Sequence, residues 1–227
     1  MRPMESTIDA SGPVTRGRRT RQEILKTAVD IASVEGLEGL TIGRLAQELK
    51  MSKSGLFAHF GSKEELQLAA VDMARAIFVE EVADPAFTAE RGIVRLEAML
   101  ERWLSYVERS VFSGGCFFAA ASAEFDDRPG PVRDMIATLT KSWLDALEEE
   151  ARFAQKLSQF KAKLDPAQLA FEVHALAQEA NWAYRLLDDK RAFDRARAGI
   201  RQRITDAATA SGLRALPEMK PAGKKSG

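Results

Sequence analysis

Apolar residues recur every three or four positions along most of the chain, and nothing alternates with period two over a useful length, so the pattern predicts helices only. Leu25, Ala28, Ile31 and Ala32 form the stripe of a first helix, Thr20 to Val34, opened by a Thr20–Glu23 capping box and closed at Gly36. Ile42, Leu45, Ala46 and Leu49 mark a second short helix N-capped by Thr41, and Leu56 and Phe60 lie under a third, Lys53 to His59, capped by Ser52. Gly61 stops that helix, and a Ser62–Glu65 capping box opens a longer one that runs to about Val82, where Asp84-Pro85 breaks it. Further on, stripes at Ile93–Val107, Val132–Ala151, Leu169–Leu187 and Phe193–Ala207 predict four more helices. Gly114-Gly115 and Arg128-Pro129-Gly130-Pro131 isolate a short one, Cys116 to Phe125.

The stretch Thr41 to Lys63 carries the sharpest chemistry. Two short helices meet at a break, Lys50-Met51-Ser52, with Met51 as the apolar plug, and the second has two unlike sides. Leu56 and Phe60 pack inward, which leaves Lys53, Ser54, Gly55, Phe57 and His59 for something outside. A small, polar, basic helix start standing on an apolar partner is what a DNA major groove admits, since the groove is read from the N-terminal residues of one helix. Charge supports this reading by its distribution, not its total. The chain has 33 basic and 33 acidic residues, yet residues 15–63 hold 9 Lys/Arg against 5 Asp/Glu and residues 67–211 hold 19 against 23. Affinity for nucleic acid therefore has to come from a local patch. Arg16, Arg18, Arg19 and Arg21 fall within six residues around the start of the first helix and suit a flexible basic arm on the phosphate backbone or in the minor groove.

Ser52, Lys53, Leu56, His59, Phe60, Ser62, Lys63, Glu64 and Leu66 are in register with a known pattern: the chain resembles the tetracycline-repressor (TetR) family over roughly its first third. The resemblance implies an all-α protein with an N-terminal three-helix helix-turn-helix domain and a larger C-terminal helical ligand-binding and dimerisation domain of about nine helices. It implies DNA contacts from Arg18, Arg19, Arg21, Thr41, Arg44, Ser52, Lys53, Ser54, Gly55, Phe57, His59 and Lys63, with Lys63 and the N-terminal amides of its helix as a phosphate anchor. Two positions depart from the pattern. Phe57 stands where the family usually has a phosphate-contacting tyrosine, and Ser54-Gly55 inverts the usual order of glycine and small residue.

The domain organisation that follows is a disordered lead and basic arm at 1–17, a DNA-binding domain at 18–66, an effector and dimerisation domain at 67–211 and a flexible tail at 212–227. Alanines at 170, 175, 177, 180 and 183, and at 196, 198, 207 and 208, allow close helix approach, and the last two helices resemble the family's four-helix homodimer interface. Two recognition helices about 34 Å apart then read a palindromic operator on double-stranded DNA. The middle is rich in aromatic and sulfur residues. At helical spacing each is most simply core, but together Met99, Trp103, Tyr106, Phe117 and Trp143 suggest a pocket for a small apolar effector, with His174, Glu179 or Asn181 as polar contacts.

No cofactor is implied, and one cysteine with two histidines makes no metal site. A Cys116–His174 enzyme is the weakest reading. A buried inert thiol is the simplest one, with a redox-sensing thiol regulator as the alternative to ligand control. The single cysteine suits a reducing cytoplasm, and there is neither a long apolar run for a membrane span nor an apolar leader.

Overall fold

A computed structural model describes residues 16–217, so the expected lead at 1–15 and the tail beyond Pro217 lie outside the described residues. The described chain is helical: α1 (Arg16–Glu35), α2 (Ile42–Leu49), α3 (Lys53–Phe60), α4 (Lys63–Phe78), α5 (Asp84–Phe87), α6 (Ile93–Glu108), α7 (Phe117–Phe125), α8 (Pro131–Lys156), α9 (Pro166–Leu186), α10 (Ala192–Ala207) and α11 (Ala210–Ala215). The only strand-like pairing among the described residues is one antiparallel bridge between Phe160 and Ala208.

Two helix boundaries differ from the pattern. α1 already includes Arg16, so Thr20 and Glu23 lie inside it and form no capping box, and Arg16, Arg18, Arg19 and Arg21 are helical rather than an arm. Arginine is a good helix former, and Arg19 pairs with Glu23 one turn on at 3.4 Å, which outweighs one glycine at position 17. The second difference is at Asp84-Pro85, which does not break the chain's helical course. After α4 the backbone widens into a π turn over Val79–Ala83 and continues as α5, with Pro85 in the first turn, where a missing N–H costs nothing.

The chain divides into two compact units: residues up to Glu80 with Arg109–Trp143, and Glu81–Glu108 with Leu144 onward. In this division α7 and the first half of α8 fall in the same compact unit as the helix-turn-helix. In the first unit, α1 supplies Ile24, Leu25, Ala28 and Val29 to the core, α4 supplies Leu66, Ala70, Val71 and Phe78, and α7 supplies Phe117, Phe118 and Phe125. Phe78 packs edge-on to Trp143 at 5.0 Å and to Phe118 at 6.1 Å. The loop before α7 lies hard against α1. Asp30 accepts from the Ser113 N–H at 2.9 Å and from its hydroxyl at 3.0 Å, and Ser33 Oγ accepts from the Gly114 N–H at 3.0 Å.

In the second unit the start of α6 is capped from afar. The buried Glu150 carboxylate accepts from the Gly92 N–H at 2.9 Å and from Arg91 Nε at 3.0 Å, and Gln159 Oε1 accepts from the Ile93 N–H at 3.0 Å. α9 and α10 pack closely through buried Ala170, Ala177, Ala180, Ala196 and Ala207. The residues from Gly212 to Pro217 are not the start of a frayed tail. Gly212 is buried at α11, where a Cβ would stand 2.1 Å from the Gln159 carbonyl oxygen, so the close approach itself demands glycine.

Candidate functional site

The helix-turn-helix is built by local chemistry. Thr41 Oγ1 accepts from the Arg44 N–H at 3.0 Å and starts α2. Lys50 ends it in the left-handed region, φ 53°, its N–H donating to the Ala46 and Gln47 carbonyls, and the Met51 N–H donates to Ala46 O at 3.0 Å. Ser52 Oγ then accepts from the Gly55 N–H at 3.1 Å and opens α3. Leu56 and Phe60 are buried beneath α3, and the Arg21 guanidinium lies over the Phe60 ring at 5.1 Å. On the other side Lys53, Ser54 and Phe57 face solvent, Phe57 with 56% of its surface exposed, and Gly55 and His59 are half-exposed. A Cβ at position 55 would stand 3.1 Å from Ser52 Oγ, so glycine there keeps the cap tight.

The cations expected around this helix are not equally free. Arg19 is exposed beside Glu23, and the side chain of Arg18 lies outside the described residues. Arg44 is held in a fork, Nε and Nη2 donating to Glu35 and Nη1 to Glu48 at 2.7 to 3.0 Å; these carboxylates raise its pKa further, and the hydrogen bonds from Arg44 in turn lower that of Glu35. Arg44 therefore acts first as a strut between α1 and α2. Lys63, at the start of α4 after the Ser62 cap, donates to Glu38 Oε2 at 2.8 Å. Three residues around it carry no motif signal: Glu38 and Gln67, and Glu124 on α7, whose carboxylate accepts from the Leu37 N–H at 2.6 Å and the Glu38 N–H at 2.8 Å. In the sequence only Gly36 hinted at a tight link there, and its φ is 82°.

The eight effector candidates are divided between the units, and Glu179 is exposed on α9. Phe117 and Trp143 are buried in the first, Met99, Trp103 and Tyr106 are buried in the second, and His174 and Asn181 are half-buried on α9. Burial pushes the His174 pKa down, and its ring lies 3.3 Å from Gln178 Nε2. The second unit opens a cavity of about 360 Å³ between α6 and α10, over Val94, Ala98, Leu104 and Ile200 and beside the pairs Glu97–Arg201 and Glu101–Arg197; none of the eight lines it. Cys116 is buried at the start of α7.

Of the small residues assigned to a dimer face, Ala175 and Ala198 are exposed and Ala183 is half-exposed, while the others serve packing inside the unit. Ala170, Ala177, Ala180, Ala196, Ala207 and Ala208 are buried inside the second unit, and the outer face of α9 is instead lined by exposed Phe171, Trp182 and Leu186. The alanines pack α9 on α10, because close approach within the chain needs small side chains as much as an interface does.

Residues 24–70 match the family of bacterial regulatory proteins named tetR, and residues 92–200 match the tetracyclin repressor-like C-terminal domain. The HTH-type transcriptional repressor AcnR of Corynebacterium efficiens is 37% identical over 92 residues, 38% of this chain and 46% of that protein, so the match spans about half of the relative's length. A TetR transcriptional regulator from Chloroflexus aurantiacus superposes with a TM-score of 0.79 at 24% identity, covering 85% of this chain and 98% of that one. AibR, solved with isovaleryl coenzyme A and operator DNA, superposes with a TM-score of 0.64 at 24% identity, covering 79% of this chain and 95% of its own. With a matched segment for each part of the chain and the same helical fold in solved structures, the protein belongs to the tetracycline-repressor family of bacterial regulatory proteins.

Proposed function

We propose that the protein is a homodimeric transcriptional repressor that binds a palindromic operator and is released from it by a small effector. The observation that carries this is α3: a capped eight-residue helix, buried by Leu56 and Phe60, that turns Lys53, Ser54 and Phe57 to solvent. Lys53 and Lys63 suit phosphates, Ser54 and Gly55 suit base edges, and Phe57, having no hydroxyl, suits a sugar or a thymine methyl. Dimerisation is supported by the apolar outer face of α9, and effector control by the family's C-terminal domain and by AibR, whose solved complex holds both a ligand and an operator.

The mechanism is linkage. DNA favours the dimer conformation whose recognition helices match groove spacing, the effector favours another, and each ligand weakens the other. Emptying a mostly occupied site takes an effector preference of roughly 10² to 10⁴ between the two conformations. Met99, Trp103 and Tyr106 in the second unit, and Phe117 and Trp143 in the first, remain our candidates for effector contacts, each taken within its own unit, with His174, Glu179 or Asn181 as polar partners.

The test is selection of duplexes from a random library, followed by titration of the selected site at several salt concentrations. Lys63→Ala should weaken every duplex by a similar factor, whereas substitutions of Ser54 should change the preferred base. Failure of the wild-type protein to bind any duplex at low ionic strength would refute the reading.

A further inference from the structure

Lys63, proposed above to meet a phosphate, is already paired with Glu38. The two are paired at 2.8 Å with each side chain 42% exposed, and Glu38 is more firmly seated than a surface carboxylate usually is. Its Oε1 accepts from Gln67 Nε2 at 3.2 Å, and that amide, 5% exposed, also donates to Leu37 O at 2.8 Å. Its backbone is seated as well: Glu124 accepts from the N–H groups of both Leu37 and Glu38. Gly36, at φ 82°, leaves room for that carboxylate, since a Cβ there would stand 2.9 Å from Glu124 Oε1. Arg128 adds a second cation 3.7 Å from Glu38 Oε2. The hydrogen bond from Lys63 and then that from Gln67 hold the Glu38 carboxyl below its ordinary pKa, so it is an anion at neutral pH.

We infer that Glu38 is an internal stand-in for a DNA phosphate: it occupies Lys63, and duplex binding exchanges this carboxylate for a phosphodiester oxygen. This rests on the DNA-binding reading above. Glu124 is the positioning residue, because it fixes the backbone from which Glu38 reaches Lys63, and it does so from α7, far along the chain from the helix-turn-helix. The exchange lowers affinity for every sequence alike, since neither partner touches a base. An exposed ion pair of this kind holds the lysine back by roughly 2- to 5-fold. Each phosphate that a lysine neutralises releases counterions, so the slope of log affinity against log salt is the direct readout.

The experiment measures affinity for one selected duplex across salt concentrations with the full chain. Glu38→Gln should bind about 2- to 5-fold tighter at low salt, with a slope steeper by up to about 0.9. In a Lys63→Ala background the same substitution should change neither, which separates release of Lys63 from the general loss of a negative charge near DNA. Glu124→Gln should shift affinity and slope the same way but less, whereas a merely structural role would lower the melting temperature and leave the slope alone. Should Glu38→Gln fold poorly, Glu38→Asp, one methylene short of Lys63, should give the same direction. Wild-type binding with an unchanged or weaker Glu38→Gln complex overturns this inference alone, as does tightening that persists without Lys63. Absence of any wild-type binding at low salt overturns the DNA reading and the inference with it.

Discussion

Trp182→Ala should dissociate the homodimer proposed above while leaving the fold intact. Trp182 is 48% exposed on the outer face of α9, beside Phe171 at 66% and Leu186 at 66%. An aromatic side chain presents about 200 Å², so Trp182 leaves about 100 Å² to be buried by a partner. At ~25 cal/mol per Å² that is about 2.5 kcal/mol per copy. A two-fold interface counts each substitution twice, so the loss approaches about 5 kcal/mol if both rings are fully covered and about half of that if they lie at the rim. The dimer constant should weaken by roughly 60-fold to several thousand-fold. Sedimentation equilibrium measures it, and Leu213→Ala, at a similarly exposed site on α11, is the matched control that should leave it unchanged. Fluorescence offers a second readout. Trp103 and Trp143 are buried, so the solvent-exposed emission belongs to Trp182 and should shift to the blue on dimerisation. A dimer constant unchanged by Trp182→Ala, or a wild-type protein that stays monomeric at tens of micromolar, would refute the assignment of this face.

Gly114→Ala should destabilise the first unit, because a Cβ there would stand 1.7 Å from the Ser33 carbonyl oxygen, and the loop can yield only by giving up its bonds to Ser33 and Asp30. The cost is about 2 to 3 kcal/mol, a fall of roughly 5 to 10 °C in the thermal melt followed by circular dichroism. Burial lowers the His174 pKa, so between the folded value and the ordinary one near 6.5 the unfolded chain binds the extra proton. Stability contributed by the neutral ring is present above that range and lost as pH falls through it; denaturant titrations from pH 7 to 5 should show a decline that His174→Gln flattens.

Much of the reading surface was legible from neighbours in sequence alone. Thr41, Ser52 and Ser62 cap the helices that follow them, Gly61 ends α3, and Leu56 and Phe60 mark its buried side, because a cap reaches three residues and a helical face repeats every three or four. The same local rules set the courses of α6, α8, α9 and α10 and the all-helical class. Tertiary structure decided what those faces touch. Glu124 caps the link between α1 and α2 from 86 and 87 residues away, and Asp30 meets Ser113 across 83, distances over which no periodicity carries information. It also decided which alanines pack inside the chain and which large apolar residues of α9 stay outside, since a stripe of small residues reads identically for an internal seam and for an interface. Finally, it divided the chain into two compact units that part within α8, because compactness follows contacts made after the chain folds back, and those depend on every helix at once.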